Sequence, residues 1–346
     1  MHRRQFIGDG ARLLAGVAAT RSAGTVARGT GGLRLTTLGG DIVPVDRAAL
    51  ADLRRTLRGE VIVDGVAAFD SARRIWNAAI DRRPALIVRC LDVHDIVGAL
   101  RFGERHDALT AVRAGGHHAA GFAMCDGGMV IDVTSLKGVE VDPVGRMARV
   151  GGGATFADYD AATYHHGLAS TGPIISMVGV AGYTLGGGLG WLHRQIGLAS
   201  DNLAAAQLVT ADGRVLDVSP TKEADLFWAI RGGGGSFGVV SAFEFRLAPV
   251  ARVTAGLIVH PLEALPEVAA FVRAFNGTAP DEVSVWVMLR KAPASRALPS
   301  ELHGRRVAAL GVCCTASTPE GDEALRRLRA FGRPLLDDVR LRDYPD

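Results

Sequence analysis

The chain has 346 residues, a length at which a single hydrophobic core usually gives way to two or three. Charged residues make up 22% and hydrophobic residues 48%, which is the profile of an ordinary globular protein. The 39 Lys and Arg residues are scattered and leave a net charge of only +3, so no basic stripe for nucleic acid is predicted.

Residues 1–45 are interpreted as a leader and a linker. Arg3-Arg4-Gln5-Phe6-Ile7 resembles the core of a twin-arginine export signal, and a weakly apolar stretch follows at 11–20. That stretch is too short to span a bilayer, which needs about 20 apolar residues. The pattern favours export to the periplasm or out of the cell. A disordered basic tail on a cytoplasmic protein is the alternative.

Strand and helix signals alternate after the linker. A helix is predicted after Asp92, because the apolar residues that follow recur at i, i+3, i+4 and i+7. A second helix begins at Thr155, with Asp158 placed as in a capping box, and stops at Gly167. Short apolar runs and hairpin turns predict strands at 85–89, 109–113, 129–133, 139–142, 147–150, 208–210, 214–218 and 239–246. The last of these alternates apolar and polar residues and should be half-buried.

The amino-acid composition of the sequence changes after Pro249. Glycines become fewer, and a helix is predicted at 323–331. We therefore expect a separate domain over 250–346. Before that boundary, the strand–helix–strand order of residues 85–113 is typical of an α/β lobe.

Glycine is the outlier in composition, with 44 residues, and three clusters stand out: 113–121, 179–190 and 231–238. No cluster has the GxxxxGK[ST] pattern of a nucleotide triphosphate loop, and none has the spacing of a Rossmann fingerprint. Backbone N–H groups freed by glycine can converge on a diphosphate, and a wide flat ring also needs backbone without Cβ atoms. A dinucleotide with a broad aromatic ring fits both demands. Glycines that only make tight turns are the alternative.

Histidine pairs at 117–118 and 165–166 suggest a zinc site as a competing interpretation. Adjacent residues on a strand point to opposite faces, and no carboxylate or cysteine cluster completes a tetrahedron, so no metal is predicted. The four cysteines have no CxxC spacing and are interpreted as small buried side chains.

The run Arg113-Ala114-Gly115-Gly116-His117 resembles the R-x-G-G-H loop of FAD-linked oxidases of the berberine-bridge-enzyme-like group. The stretches 178–192 (VGVAGYTLGGGLGWL), 196–202 (IGLASDN) and 225–240 (DLFWAIRGGGGSFGVV) are similar to later parts of the same family, in the same order. The resemblance covers about residues 80–250.

This resemblance implies an α+β protein with the PCMH-type, vanillyl-alcohol-oxidase-like FAD-binding fold. It implies a first FAD subdomain at 46–145, a second at 146–249 and an incomplete substrate domain at 250–346. FAD is the expected cofactor. The residues expected to hold it are Arg113, Ala114, Gly115, Gly116, His117, Ser176, Gly179, Gly182, Gly186, Gly188, Gly190 and Val240.

The resemblance also implies that His117 carries a covalent bond to the 8α-methyl carbon of the flavin, and a neutral imidazole is a competent nucleophile for it. His118 is interpreted as a neighbour without that role. Many relatives add a second bond through a cysteine before the second loop, but residues 172–177 read GPIISM. We therefore expect attachment through His117 alone, with Cys125 a distant candidate that more naturally packs in the core.

The implied activity is that of an oxidase or dehydrogenase. A small-molecule alcohol, sugar or natural product would give hydride to flavin N5, and electrons would pass to O2 or another acceptor. Relatives continue well beyond the residue that corresponds to Asp346, so the chain resembles a C-terminally truncated member, and no catalytic residue is named. A non-catalytic flavin-binding remnant is the alternative.

Overall fold

A computed structural model describes residues 32–294, 298–315 and 317–345. It contains three larger sheets that follow one another along the chain. The arginine motif and the apolar stretch assigned to the leader lie in 1–31, outside the described residues. The end of the stretch interpreted as linker has regular structure, because β1 (Arg34–Thr36) and β2 (Ile42–Pro44) pair antiparallel, with Leu35 fully buried.

The first lobe is a four-stranded sheet in the order β3-β4-β6-β5. Its inner strands are parallel, and β3 runs antiparallel to β4. Helix α3 starts after Asp92, whose carboxylate accepts hydrogen bonds from the N–H groups of His94 and Asp95. The elements are α1 (Arg47–Thr56), β3 (Glu60–Val63), α2 (Phe69–Ala72), β4 (Leu86–Arg89), α3 (Val93–Arg105), β5 (Thr110–Arg113) and β6 (Met129–Asp132).

The second lobe is an antiparallel sheet in the order β11-β10-β12-β8-β7. Helix α4 begins with a capping box, in which Thr155 N–H donates to Asp158 and Asp158 N–H donates to the Thr155 hydroxyl. The elements are β7 (Val139–Asp142), β8 (Met147–Gly151), α4 (Phe156–Tyr164), β9 (Leu168–Ala169), α5 (Val180–Leu185), α6 (His193–Ile196), α7 (Ala199–Asn202), β10 (Leu203–Val209), β11 (Val215–Val218), α8 (Ala224–Ile230) and β12 (Val239–Arg246).

The expectation that strand 239–246 is half-buried is wrong. Residues 239–243 of β12 are all buried, because β12 lies between β10 and β8. The polar residue in that run, Ser241, is accommodated because its hydroxyl donates to the side-chain oxygen of Gln207 at 2.8 Å.

The third sheet has the order β15-β16-β14-β17, and β18 also pairs with β14. Helices α9 and α10 supply Val268, Phe275 and Leu328 to a core against one face of the sheet. The elements are β13 (Ala248–Pro249), β14 (Arg252–Pro261), α9 (Leu265–Asn276), β15 (Val283–Lys291), β16 (Arg306–Cys314), α10 (Pro319–Ala330), β17 (Leu336–Asp337) and β18 (Arg340–Asp343), with 3₁₀ turns at Leu262–Ala264 and Ser300–Leu302. Among the described helices, none is long and apolar enough to cross a bilayer.

Candidate cofactor site

The first glycine loop, residues 113–121, leaves the carboxyl end of β5 as a turn around Gly116. Gly116 has φ +67°, in the left-handed region that glycine adopts without strain. The N–H groups of Gly115, Gly116, His117 and His118 donate no hydrogen bond to any described residue. Successive unpaired N–H groups around a left-handed residue form a concave site for an anion. The turn therefore has the geometry to receive a diphosphate.

The first and second glycine loops touch through their backbones. A Cβ added at Gly115 would lie 2.6 Å from the Cα of Gly179, and one added at Gly179 would lie 2.6 Å from the Cα of Gly115. Real Cβ atoms are essentially never that close to another heavy atom, so both positions require glycine. Two stretches 64 residues apart are thereby fixed against each other at one place.

The second loop, residues 178–192, contains the short helix α5 followed by four glycines, two of which are tightly packed. Gly188 has φ +81° and lies against the ring of Tyr183, while a Cβ at Gly190 would overlap the carbonyl oxygen of Gly172. Gly182 and Gly186 are different: they are exposed, and a Cβ at Gly182 would meet nothing within 4 Å. Packing therefore explains Gly188 and Gly190, whereas Gly182 leaves open space along the helix.

Ser176 and Val240 approach the same region from two sides. Ser176 is exposed, and its carbonyl accepts a hydrogen bond from Ala157 N–H at 2.7 Å, just before the turn that leads to Gly179. Val240 is buried in a hydrophobic cluster that includes Val180, and Ala114 packs against that cluster. The structure thus brings residues of the first loop, the second loop and β12 together.

The third glycine loop, residues 231–238, closes a helix. The N–H groups of Gly232 and Gly234 both donate to the carbonyl of Leu185, at 3.1 and 2.9 Å, and Gly233 N–H donates to Ala229 at 3.0 Å. Gly232, Gly233 and Gly234 therefore bind the ends of α5 and α8, and the N–H groups of these three form hydrogen bonds inside the protein.

Arg113 lies beneath the turn with its guanidinium half-buried. It donates to the carbonyl of Ala72 and lies 3.8 Å from the carboxylate of Asp132, which is 1% exposed. Burial lowers the pKa of Arg113, and the negative charge of Asp132 opposes that change. The side chain supplies positive charge to the base of the turn.

His117 and His118 have different surroundings. The ring of His117 is half-buried and stacks on Trp76, with centroids 5.6 Å apart, and neither of its ring nitrogens is hydrogen-bonded to a described residue. His118 stacks on Phe122 and accepts a hydrogen bond from Ala120 N–H at Nδ1. Of the two imidazoles, His117 has both nitrogens available for another bond.

The remaining cysteine and histidine candidates have surroundings that differ from those of His117. Cys125 is buried, and burial raises the pKa of its thiol to about 12, so the reactive thiolate is suppressed. His165 and His166 are exposed at the end of α4. In the part of the chain that the structure describes, no group of three or more His, Cys, Asp and Glu side chains could hold a metal ion.

Sequence reasoning missed Trp76, Asp132 and Asp160. Asp132 lies inside the predicted strand at 129–133 and could have been noticed there as a charged residue in an apolar run. The contact of Trp76 with His117 spans 41 positions and leaves no local signal. Asp160 on α4 has its pKa raised to about 7 by burial. Burial, and to a lesser extent the charge of Asp160, raises the pKa of Tyr183 in the second loop. A carboxyl with a raised pKa therefore lies on the helix against which Tyr183 of the second loop packs.

Comparisons with known proteins agree with this geometry. Residues 84–219, which include the first two loops, match the family model described as FAD binding domain. An (R)-6-hydroxynicotine oxidase of Paenarthrobacter nicotinovorans is 33% identical over 305 residues, which cover 84% of this chain and 62% of that enzyme. The chain therefore spans less than two thirds of the length of this relative.

Solved structures show the same architecture. A 6-hydroxy-D-nicotine oxidase of Arthrobacter nicotinovorans superposes with a TM-score of 0.76 at 31% identity, covering 83% of this chain and 62% of that one. A xylooligosaccharide oxidase of Myceliophthora thermophila gives 0.73 at 25% identity, covering 86% and 62%. The chain has the mixed α+β, PCMH-type FAD-binding fold, and that prediction from the sequence is confirmed.

Proposed function

We propose that this chain is an FAD-dependent oxidoreductase of the berberine-bridge-enzyme-like group of oxidases. The observation that carries the proposal is the backbone contact between Gly115 and Gly179, which presents four unpaired N–H groups beside a half-buried histidine. The match of residues 84–219 to the FAD binding domain supports it. The family resemblance of the loops supplies the finer group.

The residues present fit FAD. The turn of Gly115 and Gly116 would hold the diphosphate, with the charge of Arg113 beneath it. The open space at Gly182 has room for a flat ring that a side chain there would obstruct. Gly186 and Ser176, both exposed, are proposed to contribute to the same site. The chemistry that a bound flavin supplies is acceptance of a hydride at N5 from an alcohol, a sugar or a natural product, with electrons passing on to O2 or another acceptor.

His117 is the proposed covalent anchor, through the 8α-methyl carbon of the flavin. Its ring nitrogens are unoccupied, and stacking on Trp76 fixes the plane of the imidazole. Residues 172–177 contain no cysteine, and the thiol of Cys125 is buried, so we propose a single bond. The chain's own contribution is to orient this ring and to hold the cofactor in place.

Acid precipitation of the flavin-loaded protein tests the covalent bond. We expect a yellow pellet from the natural chain and a colourless pellet, with flavin in the supernatant, from His117→Ala. His118→Ala is the matched control and should keep the yellow pellet. A colourless pellet from the flavin-loaded natural chain would rule out the bond, and loss of colour in both variants would show a general folding defect.

Anaerobic mixing with substrates tests the activity. The panel begins with both enantiomers of 6-hydroxynicotine and with xylo-oligosaccharides, because the names of similar enzymes give these compounds as substrates. Bleaching of the flavin absorbance by one member would identify the substrate class, and restoration of colour on admitting air would identify O2 as an acceptor. A flavin that dithionite bleaches but no alcohol, sugar or cyclic amine does would contradict the proposed activity.

Export by the twin-arginine route is a further part of the proposal. It rests on Arg3 and Arg4 and on the apolar stretch that follows. A reporter fused to residues 1–45 should reach the periplasm, and replacing both arginines with lysine should stop it. A fusion with the arginines intact that stays in the cytoplasm would refute this assignment.

A further inference from the structure

A cavity of about 490 Å³ lies beside the candidate cofactor site, at the carboxyl ends of three parallel strands. Arg89 ends β4, Arg113 ends β5 and Asp132 ends β6, and the strand register places all three in one row. Each lies two residues beyond Ile87, Ala111 or Val130, which form a hydrophobic cluster on one face of the sheet. The side chains of these three residues therefore point to that same face of the sheet.

Lys137 and Ser135 complete the wall from the loop after β6. Both side chains are exposed, and Lys137 has no carboxylate within 4 Å among the residues described. The Ser135 hydroxyl likewise has no hydrogen-bond partner in that part of the chain. These two groups are free to bind a ligand at the mouth of the cavity.

Asp132 positions the two guanidinium groups without consuming them. Its Oδ2 lies 3.8 Å from Arg113 Nη1 and 3.9 Å from Arg89 Nε, beyond hydrogen-bond distance, and its Oδ1 accepts from Thr134 N–H at 2.9 Å and from the Thr134 hydroxyl. A guanidinium has five N–H donors. The contacts of Arg113 with Ala72 and of Arg89 with Glu60 therefore leave donors on both arginines for a ligand.

The residues that line the cavity carry more positive than negative charge. Three cations, Arg89, Arg113 and Lys137, line it with one carboxylate, Asp132. Two further carboxylates lie outside the lining: Glu60 pairs with Arg89, and Asp158 is close enough to interact with the charge of Lys137. One buried donor at this wall, Arg113 Nε, has no hydrogen-bond partner in the described structure. Asp132 Oδ2 also has none, but as an acceptor it could bond only to an O–H group of a ligand. An anion that accepts several hydrogen bonds would use the free guanidinium donors and the positive charge of the lining.

We propose that this cavity binds a phosphate group, as inorganic phosphate or a phosphomonoester, separately from the cofactor's diphosphate. A tetrahedral oxyanion offers acceptors in several directions, which suits donors converging from two strands and a loop. The cavity is larger than one phosphate and has room for the small organic group of a monoester. The N–H groups of the turn at Gly115 and Gly116 lie outside this site, and Arg113 lies between the two sites. The proposal does not depend on the proposed enzymatic activity.

Calorimetric titration of the flavin-loaded protein tests the site. Inorganic phosphate and glycerol phosphate are titrated at constant ionic strength, with chloride as the non-specific reference. We expect saturable binding of phosphate, weakened about tenfold by Lys137→Ala, because one charge-assisted hydrogen bond is lost. Ser135→Ala should weaken it about threefold. Tighter binding of glycerol phosphate than of phosphate would identify a monoester as the natural ligand.

Lys291→Ala is the matched control, because Lys291 is also exposed but lies on β15 in the third sheet. It should bind phosphate as the natural chain does. The proposal is overturned if phosphate binds no better than chloride, or if Lys137→Ala and Lys291→Ala have equal affinities. It is also overturned if phosphate binds to flavin-free His117→Ala protein but not to flavin-loaded protein, since the cavity would then belong to the cofactor's diphosphate.

Discussion

The first and third glycine loops have similar composition and opposite roles. Gly115 and Gly116 leave their N–H groups unpaired at the end of β5, whereas Gly232 and Gly234 donate theirs to the carbonyl of Leu185. The first loop is a candidate anion site, whereas residues 232–234 of the third loop form a helix end whose N–H groups bond inside the protein. Counting glycines therefore does not identify a binding loop, because what matters is where the freed N–H groups point.

The largest effect is expected for Gly115→Ala. The new Cβ would lie 2.6 Å from the Cα of Gly179, so the two loops must separate. We expect a loss of about 3 kcal/mol in the free energy of unfolding, typical of overpacking against backbone, together with loss of bound flavin. Denaturant unfolding and flavin absorbance measure the two effects.

Gly235→Ala is the matched change in the third loop. A Cβ there would meet nothing within 4 Å, and Gly235 does not have positive φ, so stability and flavin content should stay unchanged. Equal losses in the two variants would refute the distinction between the loops.

The sequence predicted the elements around these loops better than the contacts between them. Asp92 and Thr155 begin helices as expected, because a cap depends on a few neighbouring residues. The contact between Gly115 and Gly179 depends on how two lobes pack, and nothing local encodes it. The family resemblance proposed both residues for one site, but the reason that each must be glycine needed the three-dimensional structure.

The third sheet was predicted from the sequence even less completely than the contacts between the glycine loops. The sequence predicted a helix at 323–331, and α10 covers Pro319–Ala330, but the long strands β14 and β16 were not identified. The residues of β16 are almost all buried, and short apolar runs of this kind carry no period that separates strand from buried helix. These strands can be recognised only from their pairing with each other in the folded sheet.

The packing of α5 on α4, which supports the first loop through Gly179, can be tested through the pH dependence that Asp160 gives to stability. The first loop rests on Gly179, and α5 that follows packs edge-to-face through Tyr183 on Phe156 of α4, the helix that carries Asp160. Burial raises the pKa of Asp160 to about 7, above the value of about 3.9 in an unfolded chain. Between these values the folded protein keeps a proton that the unfolded chain has lost, so this group makes stability fall as pH rises towards about 7.

Asp160→Asn should remove that dependence. We expect the variant to be more stable than the natural chain above pH 7 by about 2 kcal/mol, a value reduced from the full shift because the side chain is only partly buried. Unfolding midpoints between pH 5 and 8 measure it. Asp217→Asn, at an exposed site in the same lobe, is the control and should leave this slope in place. Parallel pH profiles for the natural chain and Asp160→Asn would show that the carboxyl is ionised in the folded protein.

The smallest effect on stability is expected for alanine substitutions in the first and third loops, at two glycines that have similar positive φ. Gly116 and Gly234 have φ of +67° and +76°, and neither would place a Cβ closer than 3.5 Å to another atom. Alanine at either position should cost about 1 kcal/mol, because L residues disfavour this region. The two variants should unfold alike but differ in flavin retention, since the N–H of Gly116 is unpaired whereas that of Gly234 donates to Leu185. If Gly234→Ala released as much flavin as Gly116→Ala, the third loop would be part of the cofactor site despite its internal hydrogen bonds, and the contrast between the loops would be wrong.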